Sequence, residues 1–283
     1  MDDISHKTVY EPDRFVKIGS FASWKEMAIS LLQSRELIWR LFLRDFSAKY
    51  RQSLLGILWA LLNPIITVGI FVFLNRAGIL NIGETSVPYP VFALIGLSIY
   101  GIFSTGLSVC SNSIIGAGSM VVKINFPKIS LVIASMGQSL IDFLVRLALV
   151  IILFIIYGIT PQWTFLIFPF TVLPLVLLTL GLGLILSLLA GVVRDVIHFV
   201  SFFTTLFLFL MPVLYPAPQT GIFAALNKWN PLSHLIVGCR DILISGSFSG
   251  SHSFLWASAF SILLFLVSWR IFYISETRIA ERV

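Results

Sequence analysis

Residues 129–157 have the sequence ISLVIASMGQSLIDFLVRLALVIILFIIY, an apolar run that contains only two charged side chains, Asp142 and Arg146. The run is longer than the about 20 residues that an α-helix needs to cross a hydrocarbon core about 30 Å thick. It also lacks the alternation of apolar and polar residues that is typical of a membrane β-barrel strand. This stretch therefore predicts a transmembrane α-helix.

The rest of the chain is similarly apolar. Hydrophobic residues make up 58% of the 283 residues and charged residues only 11%, whereas globular proteins carry roughly 25% charged residues. We predict an all-α membrane protein with six transmembrane helices and no internal repeat between its halves. The predicted spans are residues 54–75, 89–115, 129–157, 163–190, 196–215 and 253–273.

These spans divide the chain into four regions. A cytoplasmic tail, 1–34, precedes an amphipathic interface helix, 35–53; the six-span domain covers 54–275, and a second cytoplasmic tail covers 276–283. The first residues are polar and of mixed charge, so we expect no cleaved signal sequence.

The distribution of Lys and Arg predicts the orientation, because cytoplasmic segments of membrane proteins are enriched in both. Eleven basic residues flank the proposed inner ends of the spans: Arg35, Arg40, Arg44, Lys49, Arg51, Lys123, Lys128, Arg194, Arg270, Arg278 and Arg282. The outer ends have three: Arg76, Lys228 and Arg240. The net charge of +6 is explained by these basic residues at the inner ends of the spans, which also attract anionic lipid. We therefore expect membrane lipids, and no nucleic acid, as partners.

Several function classes lack their usual residues. The dipeptide Gly-Lys does not occur, so the chain has no phosphate-binding loop of the form GxxxxGK[ST]. An ion-coupled carrier is expected to place ionisable groups at mid-membrane, where this chain has Asp142 and Arg146. These lie four residues apart on one helix face and can form an intramembrane pair; a proton relay and a substrate contact remain as alternatives. We predict no catalytic residue and no metal ligand.

Residues 35–52, RELIWRLFLRDFSAKYRQ, have the period of an amphipathic helix. The polar side carries Glu36, Arg40, Arg44, Ser47 and Arg51, and the opposite side carries Trp39, Phe42, Leu43, Phe46 and Tyr50. Such a helix is expected to lie in the plane of the membrane interface. Its arginines, Arg40, Arg44 and Arg51, could anchor the chain or dock a cytoplasmic partner.

The outer segment between spans five and six, residues 216–251, is too apolar for a soluble loop. Two short re-entrant helices would satisfy their own backbone hydrogen bonds within the outer leaflet; a lid packed on the bundle is the alternative. The candidate residues of this segment are Trp229, Asn230, Pro231, Arg240 and Asp241.

Span five carries phenylalanines at helical spacing: Phe199, Phe202, Phe203 and Phe207. This stripe could face lipid or a neighbouring helix. Alternatively, it could line a conduit in which aromatic rings contact the apolar faces of sugars, much as aromatic platforms accept successive bases.

Residues 122–130, VKINFPKIS, interrupt the apolar chain between spans two and three with two lysines on either side of a phenylalanine. An ordinary positive-inside loop would need the lysines but no bulky aromatic residue. We therefore consider this loop a candidate docking element, with Phe126 as its apolar contact. Its candidate residues are Lys123, Ile124, Asn125, Phe126, Pro127 and Lys128.

Four features in this order resemble the integral-membrane permeases of ABC-2 type polysaccharide exporters, which include O-antigen, capsule and teichoic acid transporters. They are the basic helix before span one, the segment YRQSLLGILWALLNP, the NFPK loop, and NPLSHLIVGCRDIL. The resemblance covers nearly the whole chain. The family often continues FPxE and places a second proline soon after, where this chain has Ile129 and Val132.

The resemblance implies a homodimer in the bacterial cytoplasmic (inner) membrane, with both termini in the cytoplasm. Two ABC ATPase subunits would bind ATP and Mg, so no cofactor is expected in this chain. A lipid-linked glycan, with O-antigen favoured by the overall resemblance, would leave through a channel at the subunit interface. The loop 122–130 would be a coupling helix that presses into the ATPase. Capsule, teichoic acid and non-glycan ABC-2 exporters, a secondary carrier and a membrane glycan enzyme remain as alternatives.

Overall fold

The computed structural model describes residues 20–50, 56, 58–79, 82–118, 120–124, 126–248 and 250–279. The regular elements within these ranges are all helical. In chain order the α-helices are α1 (Ser20–Gln33), α2 (Arg35–Tyr50), α3 (Leu58–Arg76), α4 (Tyr89–Ala117), α5 (Met120–Lys123), α6 (Ile129–Tyr157), α7 (Phe168–Val192), α8 (Val196–Leu210), α9 (Gly221–Trp229), α10 (Pro231–Ile244) and α11 (Ser251–Ile279).

Helix α4 is the centre of the bundle. Of its most apolar window, 78% is buried, and the helix contacts α3, α6, α7, α8 and α10. Two hydroxyl groups fix its neighbours: Ser139 Oγ of α6 donates to the Ile102 carbonyl at 3.0 Å, and the Tyr100 hydroxyl donates to the Thr204 carbonyl of α8. Because an unpaired hydroxyl is costly in an apolar environment, these bonds favour one register of the helices.

Among the described residues, five helices are long and apolar enough to cross a membrane: α3, α4, α6, α7 and α11. Helix α6 has the predicted bounds, 129–157. The predicted span 196–215 is too long, because α8 has 15 residues and ends at Leu210. Met211 adopts extended backbone angles, and Pro212 has no amide hydrogen with which to continue the helix.

Other boundaries also differ from the prediction. Residues 163–166 form a 3₁₀ turn before α7, and α11 continues to Ile279 into the predicted tail. Part of the predicted N-terminal tail is helix α1, whose Met27 is buried and whose Trp24 packs edge-on against Trp269 of α11, with ring centroids 5.8 Å apart. Residues 1–19 lie outside the described ranges.

Helix α2 packs lengthwise against α6 rather than only along a membrane surface. The Phe42 ring lies against Gly137, and Lys49 Nζ lies 2.7 Å from Asp142 Oδ2. Both pairs advance in the same direction along the two helices, so α2 and α6 run in the same sense. The sequence had predicted a helix in the interface plane with its aromatic side in lipid; instead, part of that side is used for packing within the protein.

Candidate functional site

The loop between α4 and α6 is held by its own lysine. Lys128 Nζ donates to the carbonyls of Ile124 and Phe126, both at 3.1 Å, and lies 4.4 Å from the centroid of the Phe126 ring. The Lys128 backbone N–H donates to Glu276 Oε1 of α11 at 2.6 Å. The turn is therefore closed on itself and fastened to the last helix.

This arrangement changes which side chains the loop can offer to a partner. Phe126 is only 8% exposed and Lys128 only 7%, whereas Ile124 is 53% exposed, and Lys123 is also exposed. The prediction that Phe126 is the protruding apolar contact is therefore corrected: its ring packs into the bundle and beneath the lysine. Pro127 is half-buried, and Asn125 lies outside the described residues.

Lys128 has a structural role rather than that of a surface charge. Burial lowers the pKa of its ammonium group, and the nearby Glu276 carboxylate acts in the opposite direction. Both of its carbonyl acceptors belong to the loop. The exposed positive charge of the loop is therefore that of Lys123.

The polar side of α2 lies close to this loop. Arg44 Nη1 lies 3.4 Å from the Met120 sulfur of α5, and Arg44 Nε pairs with Asp45 at 2.7 Å. Arg40 forms an exposed ion pair with Glu36 at 2.6 Å. Arg51 lies outside the described residues. The structure thus brings Arg44 next to the segment that leads into the loop, which the sequence spacing alone could not show.

The intramembrane acid has a partner that the sequence analysis missed. Asp142 is buried and forms an ion pair with Lys49, 93 residues away, at 2.7 Å. The Arg146 guanidinium lies against Gly101 of α4, where the missing side chain makes room for it. Pairing of Asp142 with Arg146 stays a prediction, but Lys49 provides charge compensation from a different helix.

Most of the aromatic stripe on α8 is exposed in the single chain. Phe199, Phe202 and Phe203 are exposed, and Phe207 is partly buried against the core. Helix α3 lies beside α8, as the 6.5 Å separation of the Phe71 and Phe209 rings indicates. Only 11% of the most apolar window of α3 is buried, so these two helices together present a broad apolar surface.

The bend after α8 is fastened by a buried arginine of α10. Arg240 Nη1 donates to the carbonyls of Pro212 at 3.0 Å and Val213 at 3.3 Å, and the guanidinium lies 4.0 Å from the centroid of the Phe92 ring. The Val213 carbonyl lies so close to Gly96 that a side chain there would collide with it. Arg240 therefore replaces the helical hydrogen bonds that the bend has lost.

The segment after the bend contains two short helices, α9 and α10, as the sequence predicted; their re-entry into the bilayer stays a prediction. Asn230 Oδ1 caps α10 by accepting from the Leu232 N–H at 2.9 Å, and Pro231 occupies its first turn, where no amide hydrogen is needed. Trp229 is exposed, and the Asp241 carbonyl accepts from the Ser245 N–H at 2.8 Å.

Two cavities flank this segment. One, of about 210 Å³, lies between α3 and α8 and has a largely aromatic lining that includes Phe71, Tyr89, Phe209 and Tyr215. The other, of about 350 Å³, is lined by small residues and by the polar side chains of Gln219, Asn227, Lys228, Ser233 and His234. Aromatic and hydrogen-bonding groups thus occur together near the C-terminal end of α8.

Comparison with known proteins gives a consistent result. A family described as ABC-2 type transporter matches residues 36–244. The chain is 29% identical over 257 residues to the O-antigen export system permease protein RfbA of Myxococcus xanthus, covering 89% of this chain and 97% of that protein. It is 27% identical to a protein of the same name from Klebsiella pneumoniae, over 84% of this chain and 91% of that protein. It is 23% identical to the polysialic acid transport protein KpsM of Escherichia coli, over 83% and 92%.

Proposed function

Since the chain belongs to the ABC-2 type transporter family, we propose that it is the permease subunit of an ABC exporter that moves a lipid-linked O-antigen polysaccharide outward across the bacterial inner membrane. The similarity to O-antigen export permeases over nearly the whole length of both proteins carries this proposal. The energy source is a separate ABC ATPase that binds ATP and Mg, because this chain has no phosphate-binding loop.

The exposed part of the α4–α6 loop supports ATPase docking at the inner face. Ile124 offers an apolar contact and Lys123 a charge, and Arg44 of α2 lies near the start of the loop. Buried apolar anchors contribute most to interface affinity, whereas rim charges mainly set association rate and salt dependence. In the proposed complex Ile124 is the anchor, and Lys123 and the α2 arginines steer the encounter.

The apolar surface of α3 and α8 supports a homodimer with the conduit at its interface. The exposed Phe199, Phe202 and Phe203 provide rings on which sugars can slide without a fixed hydrogen-bond pattern, as bases do on aromatic platforms. With α8 as one further crossing, six crossings would leave both termini on the same side of the membrane, and the excess of Lys and Arg supports the cytoplasm as that side. Two copies of this chain and two ATPase subunits form the proposed assembly.

Deletion of the gene tests the proposal in the producing strain. We expect loss of surface O-antigen and accumulation of lipid-linked O-antigen inside the cell, both restored by the chain only when its cognate ABC ATPase is present. The purified chain should hydrolyse no ATP alone and should co-purify with that ATPase. ATP hydrolysis by the chain alone, or export driven by an ion gradient without the ATPase, would contradict the proposal in favour of an enzyme or a secondary carrier.

Capsular polysaccharide is the second candidate substrate, favoured by the similarity to the polysialic acid transport protein. The deletion strain distinguishes the two. Intracellular accumulation of capsular polymer with normal surface O-antigen would select the capsule exporter.

A further inference from the structure

Glu276, a residue of α11, caps the N-terminus of a different helix, α6. Lys128 is the N-cap residue of α6, and its side chain forms no capping hydrogen bond. Instead, the Glu276 carboxylate of α11 accepts its N–H at 2.6 Å across 148 residues of sequence. The first N–H groups of an α-helix have no acceptor within the helix, and the Glu276 oxygen supplies one for Lys128.

The contact fastens a loop that is otherwise closed on itself. The Lys128 ammonium group bonds to the carbonyls of Ile124 and Phe126, and so ties the start of the loop to its end. The chain continues from this loop directly into α6. The hydrogen bond to Glu276 adds a second attachment, to α11.

The inner half of α11 also receives helix α1. Trp24 packs edge-on against Trp269, and Arg270 Nη1 lies 3.8 Å from the Met27 sulfur. Further along, α11 packs against α7 and α10, and α10 carries the Arg240 that holds the bend after α8. A continuous series of contacts therefore leads from the loop through α11 to the outer segment.

We propose that Glu276 is a positioning residue that couples the loop to α11, so that displacement of the loop by the ATPase moves α11 together with α6. This inference rests on the proposed function, in which the loop contacts the ATPase. Without the Glu276 bond, the ATPase still binds Ile124, but its movement reaches α6 alone. Spatial continuity does not by itself establish energetic coupling, so the distinguishing measurement is transport per ATP hydrolysed.

The test compares Glu276→Ala, Glu276→Gln and Glu276→Asp in permease–ATPase complexes reconstituted in liposomes with lipid-linked glycan from the producing strain. Glu84→Ala, which removes an exposed acid from the outer loop, is the matched control. We expect Glu276→Ala to retain ATPase binding and hydrolysis within about twofold of wild type. Glycan exported per ATP should fall at least fivefold. Glu276→Gln should keep more than half of the wild-type ratio, because its amide oxygen still accepts the Lys128 N–H.

Glu276→Asp keeps the carboxyl group but withdraws the acceptor oxygen by one methylene, so it should resemble Glu276→Ala. Hydrogen exchange of the peptide covering residues 126–130 reports the bond directly, and should accelerate in the Ala and Asp variants but not in the Gln variant. This measurement needs neither glycan nor ATPase, and it remains informative where the Ala variant is poorly expressed.

Unchanged glycan per ATP in both the Ala and Asp variants would overturn the inference, as would a Gln variant as impaired as Ala. Unaltered exchange in the Ala and Asp variants would also overturn it. A different result would contradict the proposed function itself: a wild-type chain that binds no ATPase, or that exports without ATP. The two failures are therefore distinguishable.

Discussion

Replacing Ile124 by Ala should weaken ATPase binding by an amount that follows from its exposure. The change removes three carbon groups, worth about 2.4 kcal/mol if each buried methylene contributes roughly 0.8 kcal/mol. Because Ile124 is 53% exposed before docking, about half of that burial remains to be gained in the complex, or roughly 1.3 kcal/mol. At 1.4 kcal/mol for each tenfold change in affinity, the Kd for the ATPase should rise about eightfold.

The assay is titration of the purified ATPase onto the permease in lipid nanodiscs. Ile79→Ala is the control, because Ile79 is an exposed isoleucine, 67% accessible, on the proposed outer side; it should leave the Kd unchanged. Phe126→Ala should instead lower the thermal stability of the permease itself, since that ring is buried. A wild-type Kd for Ile124→Ala would refute the docking role of Ile124. Loss of binding by Phe126→Ala with unchanged stability would restore Phe126 as the protruding contact.

Three further predictions concern the membrane domain. Asp142→Ala should destabilise the chain by about 1–2 kcal/mol. This is less than the about 3–5 kcal/mol for breaking a fully buried pair, because the Lys49 side chain is 35% exposed. Adding Lys49→Met should restore most of the thermal stability, and a double variant as unstable as the single one would show that the pair is not the cause. Arg240→Met should lower the free energy of unfolding by about 2–4 kcal/mol, since two carbonyls lose a charged donor; an unchanged unfolding midpoint in denaturant would show that the bend needs no such support. Phe199→Ala and Phe203→Ala should each slow glycan export with complex assembly intact, whereas cysteines at these sites that react only with lipid-soluble probes would assign the stripe to lipid.

The long apolar helices could be predicted because their signal is local. Residues 129–157 form α6 with the expected bounds, since twenty or more consecutive apolar residues leave few alternatives in a membrane. The end of α8 was missed, although Pro212 was visible in the sequence, because a proline in a transmembrane segment can either kink a helix or end it. The outcome here depends on Arg240, which comes 28 residues later and donates a hydrogen bond to the buried Pro212 carbonyl at the bend.

The orientation of the loop side chains could not be predicted for the same reason. Phe126 and Lys128 look like an exposed apolar contact and an exposed charge in the sequence. In the structure Phe126 packs into the core, and Lys128 bonds to carbonyls of the loop, while its backbone N–H bonds to Glu276, 148 residues away. Lys49 likewise lies 93 residues from Asp142. Contacts between distant segments decide which of several charged residues becomes a partner, and no spacing rule within one helix reveals them.

If the conduit follows α8 as proposed, the early end of this helix also determines how thick an apolar barrier a polar substrate meets. Its 15 residues, at about 1.5 Å of rise each, give an apolar wall of roughly 22 Å, compared with about 30 Å for the hydrocarbon core. Beyond that wall lies the cavity lined by Asn227, Lys228 and His234, whose groups can replace water around sugar hydroxyls. In the proposed conduit, a glycan moving along α8 would therefore regain hydrogen-bonding partners roughly a quarter of the bilayer earlier than it would through plain lipid. The free-energy cost of dehydrating the glycan grows with the length of the apolar passage, so the bend that ends α8 would also lower that cost.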